Sequence, residues 1–114
     1  MSKRKDEDLL LDIKEAMRRI RRYTKGMSYK NFIKDSKTQD AVVRNLEIIG
    51  EAVKMLSKEL KEKYPQFPWK ELAGMRDKLI HHYFGINYDL VWGIIEEEIE
   101  FLSEQIKKIL EDLE

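Results

Sequence analysis

Apolar residues recur every three or four positions along most of this chain, a spacing that indicates packed α-helices. In the most regular stripe the steps are four, three, four, three and four residues. Its members are Val42, Leu46, Ile49, Val53, Leu56 and Leu60. Such a heptad-like stripe is typical of helices that pack in bundles. With only 5 Gly and 2 Pro in 114 residues, the chain has few residues for the turns of an all-β fold.

Similar stripes predict four main helices and one short helical turn, in a single domain that covers residues 1–114. The helices are expected at residues 6–24, 38–64, 68–84 and 87–113, and the turn at residues 29–33. Residues with capping or helix-ending chemistry mark the boundaries: Gly26, Ser28, Thr38, Pro68, Gly85 and Asn87. Since the connections are short, the predicted fold class is an all-α, antiparallel helical bundle.

The composition excludes several classes of protein. The chain has no cysteine, which rules out disulfides, thiolate catalysis and cysteine-ligated metal centres, and which fits a reducing intracellular compartment. Only a three-leucine run precedes Asp12, too short for the apolar core of a signal peptide. No stretch approaches the roughly 18 apolar residues of a membrane span. We therefore expect a cytoplasmic protein without a membrane partner.

The charges are unevenly distributed although the net charge is zero. Residues 1–37 contain twelve Lys or Arg and six Asp or Glu, so the first third is basic and the remainder acidic. The basic density is highest at RRIRR, residues 18–22, which is either a solvated helix face or an edge that contacts phosphates. The acidic run EEEIE, residues 96–100, is predicted to be an exposed face, because adjacent glutamates on a helix diverge by about 100°.

The third predicted helix contains MRDKLIHHYFG, residues 75–85, in which an arginine falls on an apolar stripe. The residues within about 60° of Arg76 on a helical wheel are Leu72, Leu79, Ile80 and Tyr83. An arginine in that position needs an internal ion pair or a snorkelling side chain. Alternatively it forms an anion site, where the planar guanidinium matches a phosphate. The helix by itself leaves these alternatives open.

Both histidines of the chain, His81 and His82, follow in the same stretch. Histidine can exchange a proton near neutral pH, although a histidine on a helix is more often a surface residue. Adjacent histidines point about 100° apart and do not make a metal pair, so we predict neither a metal nor a cofactor. On one straight helix, Arg76 and His81 would be about 140° apart and separated by roughly 7.5 Å along the axis. Either the helix loosens before Gly85, or a second copy of the chain supplies part of the site.

Arg76, His81 and Tyr83 form the pattern Arg-x-x-x-x-His-x-Tyr, which resembles the motif of the HEPN superfamily. Three longer blocks are similar to the HepT-like toxins, one branch of that superfamily. They are TQDAVVRNLEIIGEAVK, YPQFPWKELAGMRDKLIHHYFG and DLVWGIIEE. The resemblance covers nearly the whole chain and implies a HEPN-like helical bundle that forms homodimers, with the motif lining a cleft between the subunits.

The resemblance also implies a function: a metal-independent endoribonuclease, the toxin of a type VII system, paired with an MntA-type nucleotidyltransferase antitoxin. Arg76 would bind the scissile phosphate of the RNA, His81 would transfer protons, and Tyr83 would orient the site. In the best-known branch the antitoxin attaches AMP to the motif tyrosine, so Tyr83 is also the expected AMP acceptor. The alternative is a catalytically silent helical partner or AMP-acceptor subunit of that nucleotidyltransferase.

Three further residues are candidates for supporting roles. Asp77 resembles the polar residue common beside the motif arginine and would orient the motif. His82 fills a position where the family resemblance implies a smaller residue, and it either assists or faces solvent. Asn45 lies at the edge of the apolar stripe of the second helix, where a buried structural network is favoured over catalysis.

Overall fold

The computed structural model describes the backbone of residues 2–81 and 85–113, and the side chains of residues 5–79 and 85–113. Within these residues the elements are α1 (Ser2–Thr24), α2 (Tyr29–Lys34), α3 (Ser36–Met55), α4 (Lys58–Lys63), α5 (Trp69–Ala73), α6 (Met75–Leu79), β1 (Ile80–His81), β2 (Gly85–Ile86), α7 (Tyr88–Glu97) and α8 (Ile99–Leu113). The two short strands pair antiparallel, with Ile80 opposite Ile86 and His81 opposite Gly85. Apart from this pairing the elements are helices, which confirms the predicted all-α class.

The core is built around α1, which packs against both α3 and α8. The three helices contribute side chains that are almost completely buried: Leu10, Ile13, Met17, Ile20, Val42, Leu46, Ile49, Val53 and Ile106. The predicted stripe from Val42 to Leu60 is buried along its whole length, which confirms it as a packing face. Because α5 and α6 also pack against α3, this helix positions the segment that carries Arg76.

The second predicted helix begins two residues earlier than expected, and its predicted cap is wrong. Asp35 is the N-cap of α3, because its carboxylate accepts a hydrogen bond from the Thr38 N–H at 3.0 Å. The Thr38 hydroxyl donates to the same carboxylate at 2.8 Å, so Thr38 lies inside the first turn. A carboxylate accepts both hydrogen bonds more strongly than a neutral hydroxyl would, which explains the choice of cap.

The same predicted helix is also interrupted towards its C-terminal end, at Leu56. Leu56 has an extended backbone, with ψ at 147°, and Ser57 then caps α4 by accepting a hydrogen bond from the Leu60 N–H at 3.1 Å. The Ser57 N–H donates to the carboxylate of the buried Asp6 on α1 at 2.8 Å. The apolar stripe continues across this break, which is why periodicity predicted one long helix. α1 itself begins at Ser2 rather than at Asp6.

The third predicted helix, residues 68–84, is wrong as a continuous element. It divides at Gly74 into α5 and α6, and Pro68 precedes the first helical residue instead of occupying it. The helical conformation ends at Leu79, whose carbonyl accepts a hydrogen bond from the Asn87 N–H at 2.8 Å. Gly85, predicted as a helix stop, instead begins β2 with a φ of +78°, a conformation that glycine adopts without strain.

The fourth predicted helix also has two parts, α7 and α8, separated at Glu98. Its predicted cap is confirmed, because the Asn87 side chain accepts a hydrogen bond from the Leu90 N–H at 3.1 Å. The glutamates of EEEIE, Glu96 to Glu98 and Glu100, are exposed as predicted.

The connection between α1 and α2 agrees with the predicted helix end at Gly26 and the predicted cap at Ser28. Gly26 has a φ of +76° just beyond α1, and the Ser28 side chain accepts a hydrogen bond from the Asn31 N–H at the start of α2. In the described part of the chain, no helix combines the length and the apolar character that crossing a membrane requires.

Candidate active site

Arg76 lies on the solvent-facing side of α6, not on its apolar face. Its side chain is 65% exposed, and its Nε is 3.6 Å from Oε2 of Glu47 on α3. The buried residues of α6 are Met75 and Leu79, one turn apart, and Arg76 is rotated about 100° from Met75. The helical-wheel prediction is therefore wrong. It counted Ile80 and Tyr83 as members of the apolar face, but α6 ends at Leu79, and its buried face at Met75 and Leu79 lies to one side of Arg76.

The end of α6 after Leu79 bears on the predicted separation of Arg76 and His81, which assumed one straight helix. His81 lies outside α6, in β1, where its backbone is opposite Gly85. The helix ends at Leu79, before Gly85, as the first alternative predicted, and the second, a site shared with another copy of the chain, stays a prediction. The His81 side chain, together with His82 and Tyr83, lies outside the described residues.

The hairpin that carries His81 is fixed at both ends. On its N-terminal side the Leu79 side chain is buried and the Leu79 carbonyl is bonded to the Asn87 N–H. On its C-terminal side the Asn87 side chain caps α7, so the end of β2 is joined directly to the start of a helix. α6 and α7 therefore hold the backbone on either side of the candidate catalytic residues.

Glu47 is a site residue that the sequence reasoning missed. It lies one position beyond Leu46 of the buried stripe, and nothing local connects it with a residue 29 positions later. The sequence feature that could have indicated this contact is Gly50, which lies one turn farther along the same side of α3. A Cβ on Gly50 would be 3.0 Å from the Leu72 carbonyl oxygen and 4.0 Å from the Met75 Cβ. The missing side chain thus marks where α5 and α6 approach α3, with Glu47 beside that contact.

The other candidate residues lie in different surroundings. Asp77 is exposed and forms no hydrogen bond or ion pair with the side chains that the structure describes. Asn45 is buried, and its Nδ2 donates to the Ala41 carbonyl at 2.8 Å, while its Oδ1 has no partner among the described atoms. Asn45 and Glu47 point about 200° apart around α3, so Asn45 faces α1, beside Arg19, rather than Arg76.

The basic segment RRIRR is divided by its one apolar residue. Ile20 is fully buried, whereas the four arginines are exposed. Arg18 forms a two-nitrogen contact with Glu15, and this hydrogen bonding lowers the pKa of the Glu15 carboxyl. Arg21 is 3.9 Å from Glu100 on α8. The segment is therefore a solvated face, and its own ion pairs neutralise only part of its charge.

Among the residues whose side chains are described, no three His, Asp or Glu side chains converge as ligands for a metal ion. The interpretation of EEEIE as an exposed face agrees with this, since its glutamates point in different directions.

Comparison with known proteins identifies one family. The family model described as ribonuclease HepT-like matches residues 13–109 of the chain. No solved structure matches it.

Proteins of three organisms illustrate the similarity. A candidate RNase of Methanocaldococcus jannaschii is 48% identical over 114 residues, which cover 100% of this chain and 94% of that protein. A candidate RNase of Caldanaerobacter subterraneus subsp. tengcongensis is 58% identical over 87 residues, 76% of this chain and 78% of that protein. A protein of Thermococcus cleftensis named "Probable ribonuclease HepT" is 44% identical over 107 residues, 94% of this chain and 97% of that protein.

Proposed function

The chain belongs to the HepT-like ribonuclease family, and we propose on this basis that Arg76 and His81 cleave RNA without a metal ion. The observation that carries the proposal is the position of Arg76. Its guanidinium is exposed on α6, five residues before His81, and the hairpin that follows α6 holds the His81 backbone outside the helix. The arginine and the histidine of the motif thus belong to adjacent elements, α6 and β1.

The chemistry of these two residues fits RNA cleavage. The reaction needs an activated ribose 2′-OH, stabilisation of charge at phosphorus and protonation of the leaving oxygen. Arg76 supplies charge stabilisation and His81 supplies proton transfer. The contact to Glu47 at 3.6 Å is longer than the roughly 2.7–2.9 Å of a strong charge-assisted hydrogen bond, so Arg76 is not tightly held by this carboxylate. Its guanidinium is available to a substrate phosphate.

We further propose that the protein acts as a homodimer, with Arg76 of each copy facing the cleft between them. An arginine that is 65% exposed in one chain is a suitable group for a site completed by a second chain. The protein would be the toxin of a cytoplasmic toxin–antitoxin pair, with RNA as its substrate. An MntA-type nucleotidyltransferase would neutralise it by attaching AMP to Tyr83, because the added bulk and negative charge would then lie in the motif beside Arg76.

An RNA degradation assay in EDTA tests this function. Wild-type protein should cleave RNA in EDTA, and Arg76→Ala should lower the rate by about 10²-fold or more, the usual effect of removing a group that stabilises transition-state charge. Lys78→Ala is the matched control, because it removes an exposed cation from the same helix. Wild-type activity in Arg76→Ala would contradict the proposed site. If wild type itself leaves RNA intact, the catalytically silent partner is the better interpretation.

A further inference from the structure

A basic groove lies between α1 and α8, on elements that do not carry Arg76. Its volume is about 600 Å³, and six of its eight lining residues are cationic. The lining consists of Lys14, Arg18, Arg21, Arg22, Lys25, Ser103, Glu104 and Lys107. We propose that this groove binds the phosphate backbone of RNA, as a second contact region separate from the Arg76–His81 site.

Five cations, four on α1 and one on the residue that follows it, form one row. Lys14, Arg18, Arg21 and Lys25 follow each other at steps of four, three and four residues, the spacing of neighbours on one helix face, and Arg22 lies beside Arg21. From Lys14 to Lys25 the row extends over roughly 16 Å of helix axis. Lys107 adds a cation from the opposite wall of the groove. A row of this length fits an extended polyanion better than a single phosphate ion.

Contacts within the protein explain only part of this charge. Glu15 neutralises Arg18, and Glu100 lies 3.9 Å from Arg21. Lys14, Lys25 and Lys107 have no ion-pair partner among the side chains that the structure describes. Like charges three or four residues apart on a helix repel each other, so the cations of this row that have no ion pair carry a cost that a bound polyanion would remove.

Stabilisation of the α1 helix dipole is the main alternative explanation for the cations of the groove. Cations stabilise the last turn of a helix, and Arg21 and Arg22 lie in the last turn of α1. Lys14 is three turns from that end, and Lys107 belongs to a different helix, in the interior of α8. The dipole therefore does not account for cations on both walls of the groove.

The lining also indicates which polyanion fits. It contains no aromatic or aliphatic residue, whereas protein interfaces have an apolar centre and amphipathic membrane-binding helices insert apolar side chains. Contacts to phosphates do not require apolar side chains. Such contacts also do not distinguish one nucleotide sequence from another. The groove thus suits binding that positions RNA without selecting its sequence.

An RNA-binding measurement that does not depend on cleavage tests the proposal. Full-length protein carrying His81→Ala is titrated into fluorescently labelled single-stranded RNA at several salt concentrations. The groove variant adds K14Q, R22Q and K107Q. The control instead adds K30Q, K54Q and K70Q, three exposed lysines outside the groove that give the same change in net charge.

The groove variant should bind RNA at least tenfold more weakly than the control at about 0.1 M salt. Its slope of log affinity against log salt should fall by about 0.7 for each lost phosphate contact. Equal weakening by both variants would overturn the proposal, since net charge alone would then be responsible. RNA binding unchanged in the groove variant would also overturn it and would favour an acidic protein surface as the occupant.

A single substitution that removes a negative charge from the groove tests the proposal independently of the triple variant. Glu104→Gln removes the only carboxylate from the lining, so RNA binding should tighten by about two- to fivefold. Unchanged or weaker binding would contradict the proposal. Because RNA affinity is measured in the His81→Ala background, these outcomes do not depend on whether Arg76 and His81 catalyse cleavage.

Discussion

Arg76 of α6 and Glu47 of α3 form an ion pair in which Nε and Oε2 are 3.6 Å apart. The pair joins the helix that carries the candidate catalytic arginine to the helix that contributes much of the core. Glu47 is half-buried and Arg76 is exposed, so the carboxylate is the better-fixed partner. The contact is made at the Nε edge, and the terminal nitrogens of Arg76 make no hydrogen bond with the described residues. We infer that Glu47 orients Arg76 without occupying the phosphate-binding edge.

Replacing Glu47 by Gln should lower RNA cleavage by roughly tenfold, because a misoriented guanidinium stabilises the transition state less well. The thermal midpoint should change little, since ion pairs with an exposed partner contribute little to stability. Initial rates and melting curves measure the two effects. The matched control is Glu51→Gln, an exposed position of the same helix. A cleavage rate equal to that of wild type would show that Glu47 has no orienting role.

Gly50→Ala should destabilise the protein by about 1 kcal/mol, although alanine favours helices more than glycine does. The new Cβ would lie 3.0 Å from the Leu72 carbonyl oxygen, a backbone atom that cannot rotate away. The free energy of unfolding in urea measures the effect.

Gly93→Ala is the control for this substitution, because nothing lies within 4 Å of the added Cβ on α7. We expect it to stabilise the protein by roughly 0.5–1 kcal/mol. Equal stabilisation by both substitutions would mean that α3 and α5 do not approach closely at Gly50.

The N-cap of α3 should make stability dependent on pH in the acid range. Hydrogen bonds from the Thr38 N–H and hydroxyl lower the pKa of Asp35 below its ordinary value of 3.8. A lowered folded-state pKa gives stability that is fully present above pH 3.8 and is lost as the pH falls through the folded pKa. The urea midpoint of wild type, measured between about pH 6 and pH 2, should therefore fall at the acid end.

The variant Asp35→Asn distinguishes the contribution of the carboxylate charge from that of the capping hydrogen bond. Asparagine has one acceptor oxygen, for the Thr38 N–H, and does not titrate, so the midpoint near pH 7 should be slightly lower than that of wild type, with a smaller fall in acid. Asp35→Ala should lower the midpoint at neutral pH as well. Identical pH profiles of wild type and Asp35→Asn would contradict the assignment of Asp35 as the titrating cap.

Much of the fold could be predicted because burial follows the apolar stripes. The stripe from Val42 to Leu60 is buried as expected, and the caps Ser28 and Asn87 act as their chemistry suggests. The breaks at Leu56 and Glu98 were missed for the same reason: the stripes continue through them, and hydrogen bonds from residues distant in sequence, such as that between Ser57 and Asp6, take part in the first break.

The candidate site was less predictable, since it depends on contacts between distant segments. The helical wheel placed Arg76 on an apolar face because it extended the helix through Ile80 and Tyr83, and nothing local indicated that the helix ends at Leu79. The Leu79 carbonyl at the end of α6 is bonded to the Asn87 N–H, and Arg76 contacts Glu47, which is 29 positions earlier in the chain. Only the motif spacing, read with the family resemblance, connected Arg76 with His81 before the fold was known.

Tyr83 should accept AMP when the protein is incubated with ATP and an MntA-type nucleotidyltransferase. Intact-mass spectrometry should detect addition of AMP to wild type and to Tyr88→Phe, and no addition to Tyr83→Phe. The modified wild type should also lose RNA cleavage, because the added phosphate competes for Arg76. An unchanged mass increase in Tyr83→Phe would exclude Tyr83 as the acceptor.

The most direct test of the account is the initial rate at which wild type and His81→Ala cleave a labelled RNA in EDTA. The account predicts metal-independent cleavage by wild type and a rate at least 10²-fold lower for His81→Ala, the usual range for loss of a general acid or base. Circular dichroism should show the same helical content for both proteins. A folded His81→Ala protein that cleaves RNA at the wild-type rate would contradict the account.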